Sequence, residues 1–459
     1  MTATRQLDPL RVAFVAAEAF PFAKIGGLAD VIGALPMSLA ELGVEVTVYV
    51  PWYKGIAATP TLSVAYDFAG VRQEAAVGEV LRHGVRFCFI RVDGFEQHSA
   101  YGSAGEVTAF VRFCLATAPL IDADVVHLHD WQVALLAALV RAGKVRARRS
   151  VFTVHNLAYQ GFARADELAR QTGLAPAALG ALSQDPAESV CLTRAGLLFG
   201  DRITTVSPTY AREILTPAFG AGLDGVLRER KSALVGIRNG IDTEVWNPAT
   251  DDALPAHYTS ARAPGKQACV DGLRQELGLE GPVLGVVSRL AAQKGIDIVR
   301  RALPEIMRLG YSVAVLGTGE PDLERDLAET AKRMPARLHF HCGFDEARAH
   351  RIYAGSTAML MPSRFEPCGL TQLIAQRYGT PPVARSVGGL SDTIEHGRTG
   401  ILYEDDNESG LLAGIVRLRL HPDAKALAEA GMARDWSWTA PAARYLSLYQ
   451  ELHEAPCPV

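Results

Sequence analysis

Apolar residues fall along this chain in short, nearly continuous runs rather than in strict alternation. RVAFVAAE (11–18), VEVTVYVP (44–51), VRFCFIRV (85–92), DVVHLHD (124–130), SVFTVHN (150–156) and DRITTVS (201–207) form a first series. PVLGVVSRL (282–290), YSVAVLG (311–317), RLHFHCG (337–343), STAMLMPS (356–363) and PPVARSVGG (381–389) form a second. Runs of this length and β-branched content predict strands buried on both faces. Ala/Leu-rich helical stretches separate them, and strand–helix alternation predicts parallel sheets with right-handed crossovers. The expected fold is therefore α/β, with two doubly wound, Rossmann-like parallel-sheet domains. They are expected at 1–247 and 267–435. The Pro-rich, small-residue segment 248–266 reads as a hinge, and the helical segment 436–459 is free to pack back on the first domain. Two such domains facing across a cleft would bring the C-terminal ends of both sheets to one ligand site.

Length and composition add limits. The chain has 459 residues, 49% of them apolar and 21% charged, which is ample core for two domains. Its net charge of −4 disfavours a partner made of nucleic acid. Seven cysteines, none in a CxxC pair, point to free thiols in a reducing compartment rather than to disulfides or zinc. No apolar window reaches a membrane-spanning length, and the N-terminus has no leader pattern. The expectation is a cytoplasmic protein without a membrane partner; oligomeric state is left open.

The chemistry sits at predicted strand exits. KIGGLAD (24–30) places Lys24, Gly26 and Gly27 where a strand gives way to a helix, with Asp30 in its first turn. Glycines admit close backbone approach and a helix start attracts anions, although a plain packing turn gives the same spelling. HLHDWQ (127–132) and TVHNLAYQG (153–161) end strands with Asp130, His155 and Asn156, polar groups that need a partner there. A metal is the competing reading of His127, His129 and His155, but no metalloprotease-type spacing accompanies them, and His127 reads better as a satisfied structural histidine. DAD (122–124) precedes a strand instead of leaving one and reads as a polar lead-in.

SRLAAQKG (288–295) offers Arg289 and Lys294, a pair suited to a diphosphate or to plain solvent. GTGEPDLE (317–324) is a Gly-rich turn without the GK[ST] of a P-loop. In MPSRFEPCGLTQL (361–373), Glu366 can accept hydrogen bonds from sugar hydroxyls, and Gly369, Leu370 and Thr371 open a helix toward phosphate. Cys368 reads as a lining residue before a nucleophile.

Together these blocks, with TTVSPTYAREI, GLDGVL, RNGIDTEVWNPATD and GGLSDTI, resemble the bacterial glycogen synthases and plant starch synthases. These are retaining glucosyltransferases of the GT-B architecture, and the resemblance covers most of the chain. It implies transfer of glucose from ADP-glucose, or UDP-glucose in some members, to the non-reducing end of an α-1,4-glucan, with no cofactor and no metal. It implies that Lys24 and its glycines meet the donor diphosphate, that Arg289 and Lys294 neutralise the leaving nucleotide, and that Leu370 and Thr371 bind phosphate. His155 and Asn239 would hold the donor glucose, Glu366 its hydroxyls, and Asp130 would lie near the reacting centre or the acceptor. Phe344 stands where the family often has a tyrosine against adenine. Ile25 replaces the family's threonine, the segment 93–113 is short, and 162–194, including Arg194, has diverged. These departures fall in the acceptor half. They keep open a small or short-oligosaccharide acceptor, and a catalytically weak glucan-binding relative as a reading of another class.

Overall fold

The computed structural model describes residues 9–95, 105–175, 179–183, 189–260 and 264–456. The chain forms two compact units, Met1–Asn239 with Trp438–Val459, and Gly240–Ser437.

Unit 1 is built on one nine-stranded sheet. Its strands are β1 (Arg11–Val15), β2 (Glu45–Pro51), β3 (Pro60–Phe68), β4 (Val71–Arg82), β5 (Val85–Arg91), β6 (Asp122–His129), β7 (Arg146–Val154), β10 (Arg202–Thr205) and β11 (Leu234–Gly236). A separate antiparallel pair, β8 (Phe162–Arg164) with β9 (Ser189–Cys191), lies between them in sequence. The sheet order is β11-β10-β7-β6-β1-β2-β5-β4-β3. From β11 to β5 every pairing is parallel; β4 and β3 then extend the sheet antiparallel. The parallel strands are continuous apolar runs because both of their faces are covered, and Val12–Val15 are all essentially buried. The β3–β4 hairpin instead exposes Leu62, Val71 and Leu81, having one face in solvent.

Unit 2 has a six-stranded parallel sheet of β12 (Val283–Val287), β13 (Ser312–Gly317), β14 (Leu338–Cys342), β15 (Ala358–Met361), β16 (Pro382–Arg385) and β17 (Ile401–Tyr403). Its order is β14-β13-β12-β15-β16-β17, every pairing parallel. In each unit the order reverses once, between β1 and β6 in unit 1 and between β12 and β15 in unit 2. Outside the carboxyl ends of the strands at such a reversal, diverging loops leave room for a ligand.

The division of the chain differs from the sequence-based expectation. Residues 248–266 are not a free hinge in their described part. Leu254 and Tyr258 are buried in unit 2, where Trp246 joins them, and the Tyr258 hydroxyl donates to the Tyr378 carbonyl at 2.8 Å. Lys266 already belongs to the helix Pro264–Leu277 and donates to Thr380 Oγ1 at 2.5 Å. Prolines and small polar residues gave the segment a linker's composition, but its few apolar anchors fix it. The return to unit 1 falls after Ser437. The helix Thr439–Glu454 then buries Tyr445, Leu448, Tyr449 and Leu452 in the core of unit 1. At roughly 1.5–3 kcal/mol for each large apolar side chain, that is a firm attachment.

Candidate functional site

Three loops leave the reversal point of unit 1. The first follows β1. Glu18, 3% exposed, turns its Oε2 to accept from the backbone N–H of Ile25 at 2.5 Å and of Gly26 at 3.0 Å. The chain's own carboxylate therefore holds the start of the helix Gly27–Glu41, a role the sequence reading missed. Burial outweighs those two donors and pushes its carboxyl up to about 7. Lys24 Nζ donates to Asp30 Oδ1 at 2.7 Å. The structure thus ties Lys24, Gly26 and Asp30 into one braced loop, with Gly27 exposed at its tip.

The second and third loops follow β6 and β7. Asp130 has φ 62°, a conformation that L-residues rarely adopt. That turn brings Oδ1 to the N–H of His155 at 2.6 Å and of Asn156 at 3.4 Å, so one carboxylate caps the neighbouring strand exit. Desolvation again dominates and pushes its carboxyl up to about 7. Asn156 Oδ1 accepts from the Ala158 N–H at 3.1 Å, closing a local turn. Gly161, at φ +65°, is required because a Cβ there would lie 2.1 Å from the Trp131 ring. Trp131 follows Asp130, so this contact locks the second loop to the third.

Beneath them three histidines adjoin. His127 is satisfied by the Tyr449 hydroxyl at 2.7 Å and by Thr153 Oγ1 at 2.5 Å, a structural histidine as expected. His155 Nε2 faces His129 Nδ1 at 2.9 Å, and burial holds the His155 ring down to about 3, neutral at any ordinary pH. Among the described residues no group of three or more such side chains is arranged to hold a metal ion. Asn239 is 4% exposed, and its Oδ1 has no partner among the described residues. A buried amide oxygen left so is worth about 1–3 kcal/mol to whatever satisfies it.

In unit 2 the loops after β12 and β15 are interlocked by charge. Lys294 Nζ donates to Glu366 Oε2 at 2.5 Å, and Ser363 Oγ reaches the same oxygen at 3.1 Å. Glu366 is 4% exposed and the Lys294 side chain 19%, so this is a mostly desolvated ion pair. Arg364 explains the cation in the MPSRFEPCGL turn. It binds Asp297 through two parallel hydrogen bonds of 2.8 Å, while its own N–H donates to the Gln293 carbonyl at 2.8 Å. Arg364, with Arg301 adding, holds the Asp297 carboxyl at about 2. Gln293 Nε2 returns a bond to the Phe365 carbonyl at 3.2 Å. Gly295 sits at φ +65°, with the Pro362 carbonyl oxygen 2.1 Å from where a Cβ would be. Only glycine lets these loops approach so closely.

Arg289 is exposed and donates to Gln293 Oε1 at 3.3 Å. Gly369 turns the chain at φ 73°, Leu370 precedes the helix Thr371–Arg377, and Thr371 Oγ1 donates to the Val287 carbonyl at 3.3 Å. Cys368 is buried, and a Cβ on Gly389 would lie 2.2 Å from its carbonyl oxygen, so it sits in a packed contact. Phe344, just past β14, is 71% exposed. The GTGEPDLE turn packs on the β12 loop: a Cβ at Gly319 would meet the Leu290 carbonyl at 2.2 Å, and Glu324 takes the Gly319 N–H at 2.7 Å. Asp122 and Asp124 of the DAD stretch lie at the start of β6, held by Arg11.

Residues 11–229 match the family model of the starch synthase catalytic domain, and residues 281–420 match that of glycosyl transferases group 1. A glycogen synthase of Thermus thermophilus is 44% identical over 443 residues, covering 96% of this chain and 99% of that protein. The chain belongs to the glycogen and starch synthase family. It is accordingly a glycosyltransferase. A glycogen synthase of Deinococcus radiodurans is 42% identical over 457 residues, covering 96% of this chain and all of the relative. Among solved structures, the catalytic domain of starch synthase IV from Arabidopsis thaliana, determined with ADP and acarbose bound, superposes with a TM-score of 0.92 at 32% identity. The alignment covers 97% of this chain and 100% of that one. A sucrose-phosphate synthase from Thermosynechococcus elongatus, at TM-score 0.64 and 19% identity, shares the fold alone. The glycogen and starch synthase family has the GT-B fold, and the two parallel-sheet units are its two domains. The departures at 93–113 and 162–194 fall partly outside the described residues. Among the described residues no helix is long and apolar enough to cross a membrane.

Proposed function

We propose that this glycosyltransferase moves glucose from ADP-glucose to the non-reducing end of an α-1,4-glucan in the cytoplasm, with retention of configuration. The observation that carries the site reading is the Lys294–Glu366 pair at the reversal point of unit 2, braced by Arg364 and Asp297. Breaking a glycosyl–phosphate bond leaves negative charge on the diphosphate and positive charge on the sugar. A cation already fixed in place costs no reorganisation when that charge appears. Lys294 and Arg289 are assigned to the diphosphate, with the backbone at Gly369, Leu370 and Thr371. Glu366, whose Oε2 holds Lys294, takes the sugar hydroxyls with its remaining acceptor capacity. Phe344 offers a ring face to the base. In unit 1, His155, Asn239 and Asn156 are assigned to the glucosyl group, Asp130 to the reacting centre, and Lys24 with Gly26 and Gly27 to the diphosphate.

The chemistry follows as same-face substitution. The donor's C1–O bond to phosphate breaks, the acceptor's 4-hydroxyl oxygen bonds to C1 on that face, and its proton passes to the leaving phosphate oxygen. No step uses a metal or a side-chain nucleophile. The adenine nucleotide and oligosaccharide analogue in the Arabidopsis neighbour support the choice of donor and acceptor.

The test is a donor and acceptor panel: radiolabelled ADP-glucose or UDP-glucose, each with glycogen, maltotriose or glucose. Label should pass from ADP-glucose into glycogen as α-1,4-linked residues. Transfer confined to maltotriose or glucose would move the assignment to a small-acceptor enzyme. Absence of nucleotide release with every pair would overturn it, and a trapped glucosyl–enzyme adduct would overturn the mechanism.

A further inference from the structure

His129 is left unexplained by these roles. It is wholly buried at the last position of β6, immediately before Asp130. Its ring stacks on Phe14, with centroids 5.2 Å apart, and lies 4.1 Å from the ring of His127. Its Nδ1 is 2.9 Å from His155 Nε2, while its own Nε2 has no partner among the described residues. A buried, fully packed side chain that leaves one nitrogen orphaned restricts where protons can sit.

Burial lowers both rings well below the usual histidine range, so each is neutral and carries one N–H. One proton lies between the two facing nitrogens. Were it on His155 Nε2, the single N–H of His129 would have to be on Nε2, a buried donor with nothing to donate to. Were it on His129 Nδ1, the orphaned atom is only a lone pair. Buried N–H groups without an acceptor are the rarer defect in folded proteins. His127 offers no relief, since both of its nitrogens are engaged by hydroxyls.

We propose that His129 is a positioning residue: it donates Nδ1–H to His155 Nε2 and so fixes His155 as the tautomer with its proton on Nδ1. The hydrogen bond at one ring nitrogen decides which tautomer the other presents. His155 then offers a permanent neutral donor at Nδ1, suited to a sugar hydroxyl oxygen and indifferent to pH. The His155 backbone N–H is anchored on Asp130 at 2.6 Å, which fixes where the ring starts. The part about the sugar rests on the glucosyltransferase reading; the tautomer does not.

The experiment has two arms. The first labels the histidines of the whole protein with ¹⁵N and records long-range ¹H–¹⁵N correlations, using H155N and H129N to assign signals. His155 should show a protonated Nδ1 and a bare Nε2 throughout pH 6–8. A protonated Nε2, or a mixture that changes with pH, overturns the proposal. This arm needs no active enzyme, so it still decides the tautomer if the panel above finds no transfer. The second arm compares H129F, which keeps a packed ring but has no donor, with H129N, whose Nδ2 stands close to the lost Nδ1. H129F should lower kcat/KM roughly ten- to hundredfold, the scale of one lost buried hydrogen bond. H129N should recover most of that loss. Equal losses in both variants would mean that His129 only fills space, and the proposal would fall.

Discussion

The two reversal points are braced by different balances of charge and neutral hydrogen bonding. In unit 2 the loops are held by full charges: Lys294 on Glu366, Arg364 on Asp297, with Asp297 kept ionised down to about 2. In unit 1 one ion pair, Lys24 on Asp30, braces the first loop, and the other bracing groups sit where burial disfavours charge. His127, His129 and His155 are held neutral, and the carboxyls of Glu18 and Asp130 are pushed up to about 7. Fixed charge suits a ligand that carries charge and develops more of it, as a diphosphate does. Neutral donors and acceptors suit hydroxyls, which a buried unpaired ion would bind only at a high desolvation cost. This contrast agrees with the proposal that unit 2 carries most of the nucleotide's charge and unit 1 most of the contacts to the glucosyl group.

The most severe way to break this contrast is Lys294→Ala. It removes a cation assigned to the leaving group and strands Glu366, which is almost fully buried. The expected loss in kcat/KM is on the order of 10³, read as nucleotide release with glycogen. A loss under about tenfold would show that unit 2 does not work through this charge. Arg364→Lys comes next. A lysine keeps the charge but cannot reproduce the two parallel bonds to Asp297, so the Lys294 and Glu366 loops lose their brace. About ten- to hundredfold in kcat/KM should go. The double variant with Asp297→Asn should be no worse than the more damaging single one, because both remove the same link. Additive losses would mean that Arg364 and Asp297 act separately.

How much of this the sequence disclosed depends on how local each feature is. RVAFVAAE and YSVAVLG are legible as strands because burial on both faces makes them continuous apolar runs. The β3–β4 hairpin is not, since its polar and apolar positions mix and Leu62, Val71 and Leu81 face solvent. β11 and β17, at three residues each, are too short to carry any pattern. Arg289, Lys294, Glu366, Asp130 and His155 stand out because polar residues at the ends of buried strands need a reason. Their partners do not stand out: Arg364 and Asp297 are 67 residues apart, and Glu18 and Ile25 meet only once β1 and the following turn exist. Nothing local announces that His129, rather than His127, is the histidine with an orphaned nitrogen. A hinge composition at 248–266 misled for the converse reason, because Leu254 and Tyr258 bind it to a core the local sequence does not contain.

The mildest perturbation sharpens the comparison most, because it reads one group of unit 1 without touching turnover. Glu18→Gln keeps an oxygen for the N–H groups of Ile25 and Gly26 and removes the ionisable proton. In the unfolded chain Glu18 ionises near 4.5; in the folded chain burial moves that to about 7. Between those values the folded state holds a proton that the unfolded state has lost. The contribution of Glu18 to stability is therefore full below pH 4.5, falls as pH rises to 7, and is constant above. The glutamine variant escapes this fall. Its stability relative to the parent should climb between pH 5 and 7 and level off by pH 8, at a difference on the order of 3 kcal/mol. Urea unfolding at a series of pH values measures it. A gap that stays flat, or that narrows as pH rises, would mean Glu18 is charged and at ease in the folded protein, and unit 1 would then be braced by charge just as unit 2 is.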